Sequence, residues 1–130
     1  MPYQIQPQAG EPIIVVSMSD PFDFVDDVRP MIEQIAAAAA SFPGRYYVIY
    51  EFPNLTVTFS DVVMTLAEQS SKMPGSVSDP RVKAIAVAPP DMMEFAVKSL
   101  EQTQYGKLRM EILPSMEEAL EYARLLVTIS

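Results

Sequence analysis

The run Ile13-Ile14-Val15-Val16 constrains this chain more than any other segment. Four consecutive β-branched residues favour a strand over a helix, and a continuous apolar run predicts a strand buried on both faces, as in parallel sheets. Three further runs share this character. Tyr46-Tyr47-Val48-Ile49-Tyr50-Glu51-Phe52 is aromatic and β-branched and meets Pro53-Asn54, which predicts its end. Ala84-Ile85-Ala86-Val87-Ala88 stops at Pro89-Pro90. Leu108-Arg109-Met110-Glu111-Ile112 alternates, which predicts a peripheral strand with Leu108, Met110 and Ile112 inside and the other side wet. The weaker alternation Tyr3-Gln4-Ile5-Gln6 predicts a hairpin partner for the first long strand, turning at Gly10.

Helical periodicity fills the intervals, and each helical pattern opens on a capping residue. Asp20 precedes Pro21, after which Phe24, Val28, Met31, Ile32, Ile35, Ala39 and Phe42 recur at three- and four-residue spacing. Pro30 falls inside this pattern and predicts a kink or restart, because it removes a helix hydrogen bond. The Ala36–Ala40 run reads as close packing of this helix on a sheet. Thr58 and Asp61 open a second helix with Phe59, Val62, Val63, Leu66 and Ala67 inward. Asp91 and Glu94 open a third, carrying Met92, Phe95 and Ala96. Ser115-Met116-Glu117-Glu118 forms a capping box before Ala119, Leu120, Ala123 and Leu126. The expected fold is therefore α/β: a mostly parallel sheet of four to five strands with four helices, in the order β-β-α-β-α-β-α-β-α, as one domain over residues 1–130.

Composition excludes several kinds of chemistry. Without Cys there is no disulfide framework, thiol nucleophile or thiolate-bound metal. Without His the commonest general base and the usual catalytic zinc sites are missing. With 17 Asp+Glu against 9 Lys+Arg, the net charge of −8 opposes contact with a nucleic-acid backbone. Four glycines, none spaced as GxGxxG or a P-loop, disfavour nucleotide binding. The N-terminus has no secretory pattern and no apolar stretch is long enough for a membrane span, so a cytoplasmic protein is expected.

Parallel sheets place ligands at the carboxyl ends of their strands. Here that rim carries Ser17, Ser19 and Asp20, then Asn54, Thr56, Thr58, Ser60 and Asp61, then Asp91 and Ser115. The cluster Asp20, Asp23, Asp26 and Asp27 has carboxylates for Mg²⁺ or Ca²⁺, but lacks the EF-hand ligand order. Acids there also suit the first turns of a helix, so no metal or other cofactor is expected. Glu51, near the end of an apolar strand, either reaches solvent there or contributes to a site. No nucleophile–base pair is evident, so the chain is not expected to be an enzyme.

The order of elements and several residues resemble the STAS / SpoIIAA-like family of anti-sigma-factor antagonists. Val82-Lys83-Ala84-Ile85-Ala86-Val87-Ala88-Pro89-Pro90 is similar to the family's strand leading into its third helix. Glu111-Ile112-Leu113-Pro114-Ser115-Met116-Glu117-Glu118-Ala119-Leu120 is similar to its closing strand and the S-x-E-x-A-L start of its last helix. Pro30 in the first helix matches a Pro often seen in the SpoIIAA-like branch. In the family's antagonists a Ser at the start of the second helix, within a D-S-S-G-type segment, is phosphorylated by a partner kinase. Here Ser60 falls on the first Ser and Asp61 on the second, with Phe59 for the leading Asp and Val62 for the Gly. That segment is degenerate as a phosphoacceptor, and Asp61 supplies a permanent negative charge in its place.

The resemblance implies a non-catalytic module that binds another protein or a second copy of itself, through Thr56, Thr58, Ser60 and Asp61. The alternative is a carrier of an apolar, lipid-like small molecule held between helices and sheet. Tyr46, Tyr50, Phe59, Met92, Met93 and Phe95 are the candidate lining.

Overall fold

The computed structural model describes residues 3–19, 21–23, 26–54, 80–87 and 110–129, with backbone alone at 52–54, 110 and 112. Five strands are present: β1 (Tyr3–Pro7), β2 (Ile13–Ser19), β3 (Tyr46–Asn54), β4 (Val82–Val87) and β5 (Met110–Leu113). Two α-helices accompany them, α1 (Val28–Ala38) and α2 (Met116–Ile129), and α1 runs on into a 3₁₀ turn, Ala39–Ser41. The strands form one mixed sheet in sequential order, β1-β2-β3-β4-β5. β1 pairs antiparallel with β2, and the three remaining pairings are parallel. The expected hairpin is there, with Gly10 at φ 73, a left-handed conformation that glycine adopts without steric cost.

The two-residue period of the strands sorts the core into two layers. On one face Ile14, Val16 and Met18 of β2, Tyr46, Val48 and Tyr50 of β3, and Ala84 of β4 meet Val28, Met31, Ile32 and Ile35 of α1. On the other, Ile13, Val15, Tyr47, Ile49 and Ile85 meet Ala119 and Ala123 of α2. The continuous apolar run of β2 thus has helices on both sides, and Ile13, Ile14 and Val16 are fully buried. Small residues at two successive turns of α2 bring its backbone close to the sheet. Of the Ala36–Ala40 run only Ala39 is buried; Ala37 and Ala40 face solvent, so packing accounts for one side of that run.

Local expectations for α1, β3 and β5 are corrected. The regular helix starts at Val28 with Asp27 as its N-cap residue, instead of following Asp20-Pro21. Pro30 is consequently the third helical residue, where its missing N–H is one that no helix carbonyl accepts, and the regular helix begins just before it. β3 does not stop before Pro53 but continues to Asn54. Ser17 stands opposite Glu51 while Ser19 stands opposite Asn54, so β3 carries one extra residue there. A bulge is where a strand tolerates a residue with no N–H to give the ladder. The side of β5 expected to be wet is partly covered, because Leu113 packs into the layer beneath α2. The second and third expected helices, the N-cap candidates Asp20 and Asp91, and Phe24 lie outside the described residues.

Tight polar ties close the ends of these elements. Before α1, the Asp23 carboxylate accepts the Asp26 N–H at 3.0 Å and the Asp27 carboxylate accepts the Asp23 N–H at 2.8 Å. The acidic cluster therefore serves the chain's entry into α1, and among the described residues no group of three acids could hold a metal ion. Arg81 donates to the carbonyls of Phe42 at 2.7 Å and Gly44 at 3.1 Å, and its guanidinium lies 5.3 Å from the Tyr46 ring centroid. One side chain thus fixes the α1–β3 connection to the start of β4. At the opposite face Arg124 of α2 pairs with Glu11 of the β1–β2 turn at 3.1 Å.

Candidate functional site

The carboxyl ends of β2 and β3 carry the polar residues that the parallel pairing of these two strands brings together. Ser17 and Glu51 are registered partners on these neighbouring strands, and the Ser17 hydroxyl donates to Glu51 Oε1. Both side chains are half-buried. They project from the same face as Val15 and Ile49, the face covered further down by α2. Glu51 is therefore neither stranded in the core nor simply released to water. Its charge is met by a hydroxyl across the strand, as a partly buried carboxylate requires.

Just past this pair the bulge of β3 realigns the ladder, so that Ser19 faces Asn54. Bulges commonly re-aim side chains beside functional sites. The helix α2 begins close in sequence to the carboxyl end of β5. Ser115 Oγ accepts the Glu118 N–H at 3.2 Å, which is the capping half of the expected capping box. Glu117 and Glu118 in this first turn add negative charge where the helix dipole favours it.

Chemically, Ser17 and Glu51 form a fixed acceptor site more than a reactive one. A carboxylate is a far weaker base than the alkoxide that Ser17 would become, and the hydroxyl is already oriented onto it. The pair presents negative charge and hydrogen-bonding capacity at the edge of a rigid sheet. Sequence reading singled out Glu51 and placed Ser17 on the rim, yet did not join them. Nothing in sequence spacing relates two residues 34 positions apart; only the β2–β3 register does.

Of the residues expected to line an apolar cleft, Tyr46 and Tyr50 are described. Both are almost fully buried in the layer under α1, and Tyr46 also packs on Phe42 and Arg81. Phe59, Met92, Met93 and Phe95 lie outside the described residues, as do Thr56, Thr58, Ser60 and Asp61. One perturbed group was not anticipated. Burial, followed by the Glu111 carboxylate and the Tyr47 phenol, pushes the Tyr122 phenol above the usual tyrosine range. It marks where α2 crosses β3 and β5.

No family model matches this chain, and no curated protein or solved structure matches it significantly. Among the described residues, no helix is long and apolar enough to cross a membrane.

Proposed function

We propose that this chain is a non-catalytic protein-interaction or regulatory module of SpoIIAA-like architecture, with its docking surface on Thr56–Asp61 at the rim of the sheet. The observation that carries the reading is the run of parallel neighbours β2-β3-β4-β5. Adjacent parallel strands need crossovers, and a crossover of this length ordinarily contains a helix. Helices in both the β3–β4 and β4–β5 connections complete the order β-β-α-β-α-β-α-β-α, with four helices and a mostly parallel sheet. The carboxyl end of β3, after which the sequence continues into Thr56–Asp61, lies alongside β2 where Ser17 pairs with Glu51. Asp61 stands where the family's antagonists carry their phosphorylated Ser, so its charge acts as a permanent form of that signal.

The test compares partner capture by the intact protein and by Asp61→Lys, using crosslinking in cells and purified candidates from the enriched set. Capture falls at least about tenfold in the variant, a loss in line with placing the wrong charge in an interface. Equal capture, with an unchanged circular dichroism spectrum, removes this surface from consideration. Native mass spectrometry of freshly purified protein separates the carrier reading. A retained apolar mass favours the carrier, and a clean apo mass favours the interaction module.

A further inference from the structure

β1 is an edge strand: among the described residues it pairs with β2 alone. The register determines which of its backbone groups face outward. Pro7 stands opposite Ile14, so Gln8 follows opposite Ile13, and the Gln8 N–H donates to the Ile13 carbonyl at 2.8 Å. That makes Gln8–Ile13 a hydrogen-bonded pair, and antiparallel ladders alternate between bonded and non-bonded pairs. Gln6 and Gln4 therefore direct their N–H and C=O groups toward Val15 and Ser17. Tyr3, Ile5 and Pro7 direct theirs away from the sheet. Since proline has no N–H, the outward edge offers two donors, on Tyr3 and Ile5, and three acceptors, on Tyr3, Ile5 and Pro7.

This pattern is self-complementary. A second β1 laid antiparallel and centred on Ile5 overlaps all five residues. The two Ile5 residues exchange a pair of bonds, and each Tyr3 N–H meets a Pro7 carbonyl. The missing bonds are those that Pro7 cannot donate. Gln4 of one copy then lies across from Gln6 of the other, on the face where both side chains are exposed. The half-buried Ile5 side chains meet on the α1 face.

Charge and shape favour the same occupant. The first charged residue of the chain is Glu11, so this edge is uncharged in a protein of net charge −8. Edge strands are ordinarily protected by charged side chains, by proline or by shortness; β1 has no charged side chain, and its one protecting residue, Pro7, removes a donor only at the end of the strand. The side of α1 nearest β1 is marked by Gln34, whose amide donates to the Tyr3 hydroxyl at 2.9 Å. One turn further on is Ala38, a small side chain that packs against the core.

We propose that the outward edge of β1 is a self-association site, through which a second copy of this chain adds its own β1 antiparallel, centred on Ile5. This is independent of the docking role proposed for Thr56–Asp61. Analytical ultracentrifugation across a concentration series, up to about millimolar, tests it on three full-length proteins. The wild type shows a concentration-dependent dimer. Gln4→Lys with Gln6→Lys sets lysine against lysine twice and weakens the dimer at least about tenfold. Gln4→Lys with Gln6→Glu sets lysine against glutamate in this register alone and restores the dimer. Both variants alter exposed side chains, and unchanged melting temperatures establish that they fold. A wild type that stays monomeric throughout, a dimer untouched by the two lysines, or no restoration by the lysine–glutamate variant overturns the proposal.

Discussion

The Ser17 hydroxyl donates to the Glu51 carboxylate across the β2–β3 boundary, near the carboxyl ends of both strands. The contact couples two strands just before the bulge between Glu51 and Asn54. Removing the donor leaves a half-buried carboxylate less well solvated than before. Ser17→Ala is expected to lower stability by about 1 kcal/mol, near the low end for a hydrogen bond to a charged group because the site is half-exposed. A double-mutant cycle with Glu51→Ala, followed by urea denaturation, measures the coupling. Strictly additive effects would show that the contact contributes nothing to stability.

Arg81 joins three elements through one side chain, by way of the Phe42 and Gly44 carbonyls and the Tyr46 ring. A lysine has neither the planar fork nor the stacking face for this arrangement. Arg81→Lys and Arg81→Ala are therefore expected to cost similar amounts, about 1–2 kcal/mol each. If lysine restored most of the wild-type melting temperature, positive charge alone would be the relevant property.

Pro30 lies in the first turn of α1, upstream of the hydrogen-bonded ladder. Pro30→Ala is expected to change stability by less than about 1 kcal/mol in either direction, since proline is at home in a first helical turn. Moving the proline one turn inward is different. Gln34→Pro deletes a ladder bond and costs about 3 kcal/mol or more, besides removing the tie to Tyr3. Paired thermal melts of the two variants give the contrast directly. Comparable losses would return Pro30 to the role of a helix interruption.

The raised Tyr122 pKa sets a direction for alkaline stability. The unfolded chain ionises this phenol near the ordinary value of about 10, and the folded chain does so only at higher pH. The native state thus holds its proton longer. The associated stability is fully present below about pH 10 and is lost as pH rises through the folded-state pKa. Tyr122→Phe is expected to flatten the fall of melting temperature above that pH. Glu111→Gln is expected to reduce it by a smaller amount, because burial is the larger cause and the carboxylate the second. An unaltered alkaline slope in Tyr122→Phe would assign that loss to other groups.

Periodicity determined much of what is described. The spacing of Val28, Met31, Ile32, Ile35 and Ala39 put these residues in one buried stripe, and all five are buried, four in α1 and Ala39 in the 3₁₀ turn that follows it. Ala119 and Ala123 followed from the same rule in α2, and the unbroken apolar run of β2 announced a strand with cover on both sides. Such patterns are local consequences of 3.6- and 2-residue repeats, which one chain segment contains entirely within itself. The tertiary structure alone decided the rest. It continued β3 past Pro53 by opening a bulge, placed Pro30 where its missing N–H costs nothing, and joined Ser17 to Glu51. It also turned the bonding groups of Tyr3, Ile5 and Pro7 outward. Apart from the start of α1, which the ties among Asp23, Asp26 and Asp27 accompany, each of these depends on which strand lies alongside and in what register. Register is set by contacts between residues far apart in the chain, and no single segment contains that information.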